Sequence, residues 1–315
     1  MVVKLSCGSV VSGTLTSSAD ALPCLWLSVL IPAYEHPAGV LRILDRLHAA
    51  RVKGVECRIN DDSQSDAVQT AVWHHPLYRA GDVIYRRNRP ALGAVPNWND
   101  LLAQARGLYL LLMHHDECPE RDDFFIDLQA ALVQVDSPDV LLLDCLLPTL
   151  GGLRLRHHMP LWIRRGLLAW NPDHLLRHNT LGPPSVVVAR RSVYVSFDPA
   201  LKWLVDVDWM VRLLRNTGVS WSFSKRLAVV SSPHASTSIT ASLINEIPRL
   251  REEEALRIRR RLGPSLIFCL LLPDTLLMHI LTYVESGIWL VARALIRSTG
   301  WLTGRPRSAW LRKRN

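Results

Sequence analysis

Paired cysteines, a secretory signal and an uninterrupted membrane-length apolar run are all missing from this chain. The six cysteines (Cys7, Cys24, Cys57, Cys118, Cys145 and Cys269) form no CxxC pair. That argues against both a zinc ribbon and a disulfide framework and suits a reducing cytoplasm. The opening stretch MVVKLSCGSVVSGTLTSSAD carries one lysine and a short apolar run broken by Ser and Gly, so residues 1–24 read as a leader before the first strand. No internal repeat is visible. Acidic residues run short in only one region: residues 249–315 hold 13 Lys/Arg against 5 Asp/Glu, whereas residues 1–248 hold 24 against 23. A nucleic-acid reader more often carries its charge on the folded face, so no nucleic-acid partner is expected. A basic tail around apolar blocks better suits an anionic membrane surface.

Those blocks are 266–272, which meets Pro273, and 276–292, which carries His279 and Glu285. Both are short or polar for a spanning helix. Interfacial helices flanked by Arg259–Arg261 and Arg312–Arg314 are the expectation, placing the protein in the cytoplasm, peripheral on the inner face of the membrane. A buried helical hairpin or a homo-oligomer contact is the alternative use of the same apolar faces.

A chain of 315 residues with a hydrophobic fraction of 49% leaves room for a sizeable core. Apolar runs alternate with amphipathic ones. Strands are expected at 25–32, 55–60, 82–86, 108–113 and 140–144, and helices at 40–50, 64–74, 96–106 and 122–135. The helical face of 40–50 is read as Val40, Leu41, Leu44, Leu47 and His48. Residues 150–182 read as loops and short helices around an acceptor opening. Strands at 185–189, 219–223 and 227–230, a helix at 206–217 and a charged helix at 242–262 follow. The rhythm implies an α/β domain with a mostly parallel sheet flanked by helices. Its ligands should bind beyond the carboxyl ends of the strands.

Polar residues gather at those ends. The first strand delivers Pro32, Tyr34 and Glu35; the second Asn60, Asp61, Asp62 and Ser63; the third Arg87 and Asn88, with Gly93 and Asn97 after them. The fourth delivers His114, His115, Asp116 and Glu117. A nucleoside diphosphate needs a stacking surface, an acceptor for a base N–H, a close backbone approach and a divalent cation. Tyr34, Asp61, Gly93 and the Asp116–Glu117 pair offer these in turn. Standing alone, each is also an ordinary turn, cap or surface feature, and Asp61–Asp62 would read first as a solvated turn. Among the 11 tryptophans, Trp98, Trp203 and Trp209 lie near these residues and are the candidates for stacking on an acceptor.

The segments VLIPAYEHP, INDDSQSD, RRNRPALGAVPNWNDLLAQARGLYLLLMHHDE, GPPSVVVARRSVY and FDPALKWLVDVDWMVRLL resemble, in order and spacing, family 2 glycosyltransferases of the GT-A fold. The resemblance covers residues 25–240, with 241–315 left as a C-terminal helical, apolar and basic tail. It implies an inverting transfer of sugar from a UDP- or dTDP-sugar to a carbohydrate or lipid-linked acceptor. It implies that Asp61 accepts the base N3–H, with Pro32, Tyr34 and Glu35 walling the base and Arg87 and Asn88 beside base or ribose. Asp116 and Glu117 fall at the family's metal-binding acidic motif for Mg²⁺ or Mn²⁺, Asp206 at its catalytic base, and His234 where many members carry a histidine near the diphosphate. The motif departs from the family's aspartate-rich turn by reading HHDE. Asp206 and Asp208, two apart at a helix start, point in different directions, so one faces the sugar while the other caps the helix. The rival readings are a non-catalytic nucleotide-sugar-binding or scaffold protein of the same fold and a nucleotidyltransferase. The latter would want a basic, Gly-rich loop where AYEHPAG has no Arg or Lys.

Overall fold

The computed structural model describes residues 25–132, 137–148, 154–156, 160–232, 243 and 245–262. Strand β1 (Leu27–Ala33) is apolar apart from Ser28, and all seven of its residues are buried, so protein covers the sheet on both faces there. Leu30, fully buried at its centre, would cost about 2–5 kcal/mol on truncation to Ala. Strands β2 (Val55–Asp61), β3 (Val83–Arg87) and β4 (Tyr109–Leu112) join β1 in the order β3-β2-β1-β4, all parallel. Parallel neighbours need crossovers, and here the chain uses α1 (Pro37–Ala50), α2 (Ala67–His74), α3 (Pro76–Arg79) and α4 (Ala94–Gln104). Helix α1 opens with Pro37, whose fixed φ suits a first turn. It buries Val40, Ile43, Leu44 and Leu47, while His48, expected on that face, is exposed.

Beyond β4 the sheet changes character. The chain continues through β5 (Glu117–Pro119), α5 (Phe124–Leu132), β6 (Val140–Pro148), β7 (Arg154–Arg156), α6 (Leu161–Trp170), β8 (Val187–Arg190), α7 (Val205–Leu214), β9 (Trp221–Ser231) and α8 (Ile247–Leu262). Strand β8 runs antiparallel to β4 and β6, β5 antiparallel to β9, and β7 antiparallel to β6, while β6 and β9 are parallel. The expected parallel sheet is therefore the β3-β2-β1-β4 half; the other half is mixed. The two short strands expected at 219–223 and 227–230 are one strand, β9, which carries the irregularity itself: it runs from Phe223 to Ala228 while its partner β6 advances only from Leu142 to Asp144.

The sheet lays out β1, β2 and β3 in one direction and then returns to place β4 on the other side of β1. The switch between β1 and β4 is where an open α/β sheet leaves a crevice at its carboxyl ends. Helix α8 buries Leu250, Glu254 and Ile258, four residues apart, and so presents one narrow face to the domain. No helix among the described residues is long and apolar enough to cross a membrane. The blocks 266–272 and 276–292 and the leader 1–24 lie outside the described residues.

Candidate active site

At the β1/β4 switch point opens a cleft of about 970 Å³. Pro32 and Tyr34 border it from β1, Asp62 from β2, Gly93 and Asn97 from α4 and its entry, and His114 to Glu117 from the turn after β4. Asp206 closes it from α7. Residues far apart in the sequence thus meet in one space because strand ends and one helix start converge there.

The turn after β4 is pinned by close packing. A Cβ on Gly39, in the first turn of α1, would overlap the His115 carbonyl oxygen and the His36 ring, so only glycine lets α1 approach this loop. His36 Nδ1 lies 3.2 Å from that carbonyl, and His115 Nδ1 lies 3.2 Å from the Pro32 oxygen. Burial holds His115 below the usual histidine range. The His114 ring packs on Trp98 at 4.7 Å between centroids, tilted by 36°, and its Nδ1 is 3.5 Å from Glu117 Oε2, while its buried Nε2 has no hydrogen-bond partner among the described residues. Burial pulls the His114 pKa down, but Glu117, Asp116 and Asp206 outweigh it and hold the ring above its ordinary value. Ligand atoms of His114, Asp116 and Glu117 all lie within 4.8 Å of one another. The two carboxylates suit Mn²⁺ or Mg²⁺, and the imidazole nitrogen of His114 adds a softer donor that favours Mn²⁺ over Mg²⁺. The sequence reading gives the metal to the two acids and sets His114–His115 aside, since adjacent histidines rarely chelate together.

Asp206 and Asp208 divide as their spacing requires. Asp206 borders the cleft; its Oδ1 accepts the Val207 amide at 2.8 Å, and Asn179 Nδ2 reaches its Oδ2 at 3.4 Å. It is partly open to the cleft and otherwise packed in protein, and burial pushes its pKa up to about 6. Asp208 is fully buried and caps nothing: it pairs with Arg212 Nε at 2.8 Å and with Arg261. Asn179, which the sequence does not mark, is itself held by the Leu181 and Gly182 amides at 3.0 and 2.9 Å.

Several expected contacts lie beside the cleft rather than in it. Asp61 is fully buried, and its carboxylate accepts the Ser63 amide at 2.9 Å and the Tyr85 hydroxyl at 2.6 Å. The neighbouring Asp62 borders the cleft and binds Asn88 Nδ2 at 2.7 Å and the Leu92 and Gly93 amides at 3.2 and 2.9 Å. Gly93 sits at φ 83°, a conformation that favours glycine, just where α4 begins. Asn88 also reaches Asn97 Oδ1 at 3.2 Å, and Asn97 Nδ2 reaches the Asn60 oxygen at 3.3 Å. Glu35 folds back onto the turn after β2, accepting the Gln64 and Ser65 amides at 2.7 and 2.9 Å, and hydrogen bonds from Ser65 hold its pKa low. Arg87 grips the same turn through the Gln64 and Ser65 carbonyls at 2.8 and 2.7 Å and pairs with Asp66. Trp98 and Trp203 border the cleft. Trp209 does not: it is buried, stacked on Phe197 at 4.8 Å, because it falls on the inner side of α7. His234 lies outside the described residues.

Residues 28–180 match the profile of Glycosyl transferase family 2. Uncharacterized protein MT1568 of Mycobacterium tuberculosis is 28% identical over 212 residues, which are 61% of this chain and 63% of that protein. Among solved structures, TarS of S. aureus aligns at a TM-score of 0.51 and 17% identity, over 72% of this chain and 64% of its own. TarS has also been solved with UDP-GlcNAc. Mannosyltransferase PcManGT of Pyrobaculum calidifontis, in complex with GDP-Man and Mn²⁺, aligns at a TM-score of 0.54 and 13% identity, over 93% of this chain and 81% of its own. The match spans less than two thirds of the length of MT1568 and of this form of TarS. At such identities the structural likenesses speak for the fold, while the family profile speaks for the chemistry. That profile lies over the parallel half of the sheet and the side of the cleft it carries, so residues 28–180 are similar to Glycosyl transferase family 2, and the fold is that of GT-A glycosyltransferases.

Proposed function

We propose that the chain moves a sugar from a UDP- or dTDP-sugar to an acceptor hydroxyl with inversion at the anomeric carbon. The observation that carries this reading is that Asp206 and the His114–Asp116–Glu117 cluster open into one cleft. In a single displacement the acceptor oxygen bonds to the sugar's C1, Asp206 takes the hydroxyl proton, and the C1–oxygen bond breaks with its electron pair leaving on the diphosphate. A carboxylate raised to about 6 is mostly ionised at neutral pH yet basic enough to accept that proton. Pro32 and Tyr34 wall the donor base. Asp62 shapes the loop from Asn88 to Gly93 so that backbone approaches the nucleotide, while Glu35, Asp61 and Arg87 brace the turn that carries Asp62. By motif order His234 attends the diphosphate.

His114, Asp116 and Glu117 would hold a divalent cation, which, when bound, offsets charge developing on the leaving diphosphate. The UDP-GlcNAc complex of TarS and the GDP-Man and Mn²⁺ complex of PcManGT support a donor of this class. The basic tail, 249–315, is proposed to hold the domain of residues 25–240 at an anionic membrane surface, where a lipid-linked or surface-polysaccharide acceptor would be presented.

Calorimetric titration with UDP, dTDP and GDP, each with and without Mn²⁺, tests the reading. Binding of UDP or dTDP that tightens with Mn²⁺ is the expected result. Preference for GDP would replace the proposed donor, and binding indifferent to metal would remove the role given to HHDE. Absence of binding would favour the scaffold reading.

A further inference from the structure

We infer that Glu254, on α8, is a positioning residue for the proposed base: its carboxylate fixes the backbone turn from which α7 and Asp206 start. The inference rests on the reading of Asp206 as the base. Helix α7 has no side-chain cap of its own, because Leu204 stands at its N-cap. The backbone amides of the bend that leads into it still need acceptors. Glu254 supplies them from 50 residues away. Its Oε1 accepts the Lys202 amide at 2.7 Å, and its Oε2 accepts the Trp203 and Leu204 amides at 3.0 and 2.7 Å. Three consecutive donors on one carboxylate leave the turn little freedom to shift or rotate.

The division of donors matters for the cleft. With amides 202–204 taken by Glu254, the Asp206 carboxylate borders the cleft and accepts the Val207 amide and the long contact from Asn179. Lys202, Trp203 and Leu204 border the same cleft, so one buried carboxylate sets both the base and the wall beside it. Glu254 is itself held in place by Leu250 and Ile258, buried one turn to either side. A second tie between α8 and this region, Arg261 to Asp198 and Asp208, lies farther along the helix and does not touch the 202–204 turn. The two ties allow positioning to be separated from mere attachment of α8.

The full-length protein is assayed by hydrolysis of a sugar nucleotide, with water as acceptor. The probe is whichever of UDP-glucose, UDP-N-acetylglucosamine and dTDP-glucose the wild type hydrolyses fastest. Water oxygen bonds to C1, its proton passes to Asp206, and the diphosphate leaves. Displacement of a base by about 1 Å costs on the order of 100-fold in rate. Glu254→Ala is therefore expected to lower kcat by at least about tenfold while the Kd for the nucleoside diphosphate stays within about twofold. Glu254→Gln, which keeps one acceptor oxygen in place, should show an intermediate kcat. Arg261→Ala should lower the melting temperature and leave kcat within about twofold. The inference is overturned if Glu254→Ala keeps its kcat and only melts earlier, or if Arg261→Ala loses as much kcat. Where Glu254→Ala yields no folded protein, Glu254→Gln carries the test, and a wild-type kcat in that variant overturns it. Retained turnover in Asp206→Asn would instead strike the base assignment, leaving the Glu254 measurements to be read separately.

Discussion

Replacing Asp206 by Asn should make the protein more stable at neutral pH while removing its turnover. The reason is a cost that the native site carries. Burial raises the Asp206 pKa from 3.8 to about 6, so the folded chain resists the charged form that catalysis needs. A shift of about two pH units at about 1.4 kcal/mol each sets a ceiling near ~3 kcal/mol. Part of the carboxylate faces the wet cleft, so about 1–3 kcal/mol is the expected gain. The sign follows from proton binding. Between about pH 4 and 6 the folded state holds a proton on Asp206 that the unfolded chain has released, so this group's contribution to stability falls as pH rises through that window. Asn mimics the protonated form, and its Oδ1 can still accept the Val207 amide. The variant should therefore exceed the wild type by about 1–3 kcal/mol at about pH 7.5, a few degrees in melting temperature, and match it near pH 4. Urea unfolding at the two pH values reads the difference, and sugar-nucleotide hydrolysis reads activity. An Asp206→Asn variant no more stable than wild type at the higher pH, or one that still turns over, would refute the reasoning.

Three further outcomes follow from the same geometry. kcat/KM should fall as pH drops below about 6, because the base must be ionised to accept a proton; a profile flat from about pH 5 to 8 would exclude Asp206 as that base. Gly39→Ala should cost about 1–3 kcal/mol and weaken nucleoside-diphosphate binding measured calorimetrically, since the new methyl displaces the loop bearing His115 and Asp116. Asp62→Ala leaves the Leu92 and Gly93 amides and the Asn88 side chain without their acceptor; urea unfolding should register a loss of about 2–4 kcal/mol, accompanied by weaker nucleotide binding.

The parallel half of the sheet was legible because strands buried on both faces must be apolar throughout, and β1 and β4 announce themselves that way. The site was legible only as far as strand ends can be read one residue at a time. At the end of β2, successive side chains alternate, so Asp61 turns toward Tyr85 on β3 while Asp62 turns to the loop before α4. A reading of the dipeptide alone cannot say which member faces the cleft; here Asp62 does. Glu35 and Arg87 turn away from the cleft for another reason. A charged residue after a strand can face a ligand or fold back to satisfy turn amides and carbonyls. These two do the latter, Glu35 with φ at 47°. Trp209 shows that proximity along the chain to Asp206 says nothing about direction, since a few residues along a helix span most of a turn. Glu254 lay beyond any local reading: REEEALRIRRR looks like a solvated charged helix, and its third acid acquires meaning only when α8 lies against a turn 50 residues earlier. The polar residues to which the pattern gave no role of their own, Asn179, Asp62 and Glu254, all bind backbone amides, so in this cleft the groups that hold the loops decide where the reacting groups can stand.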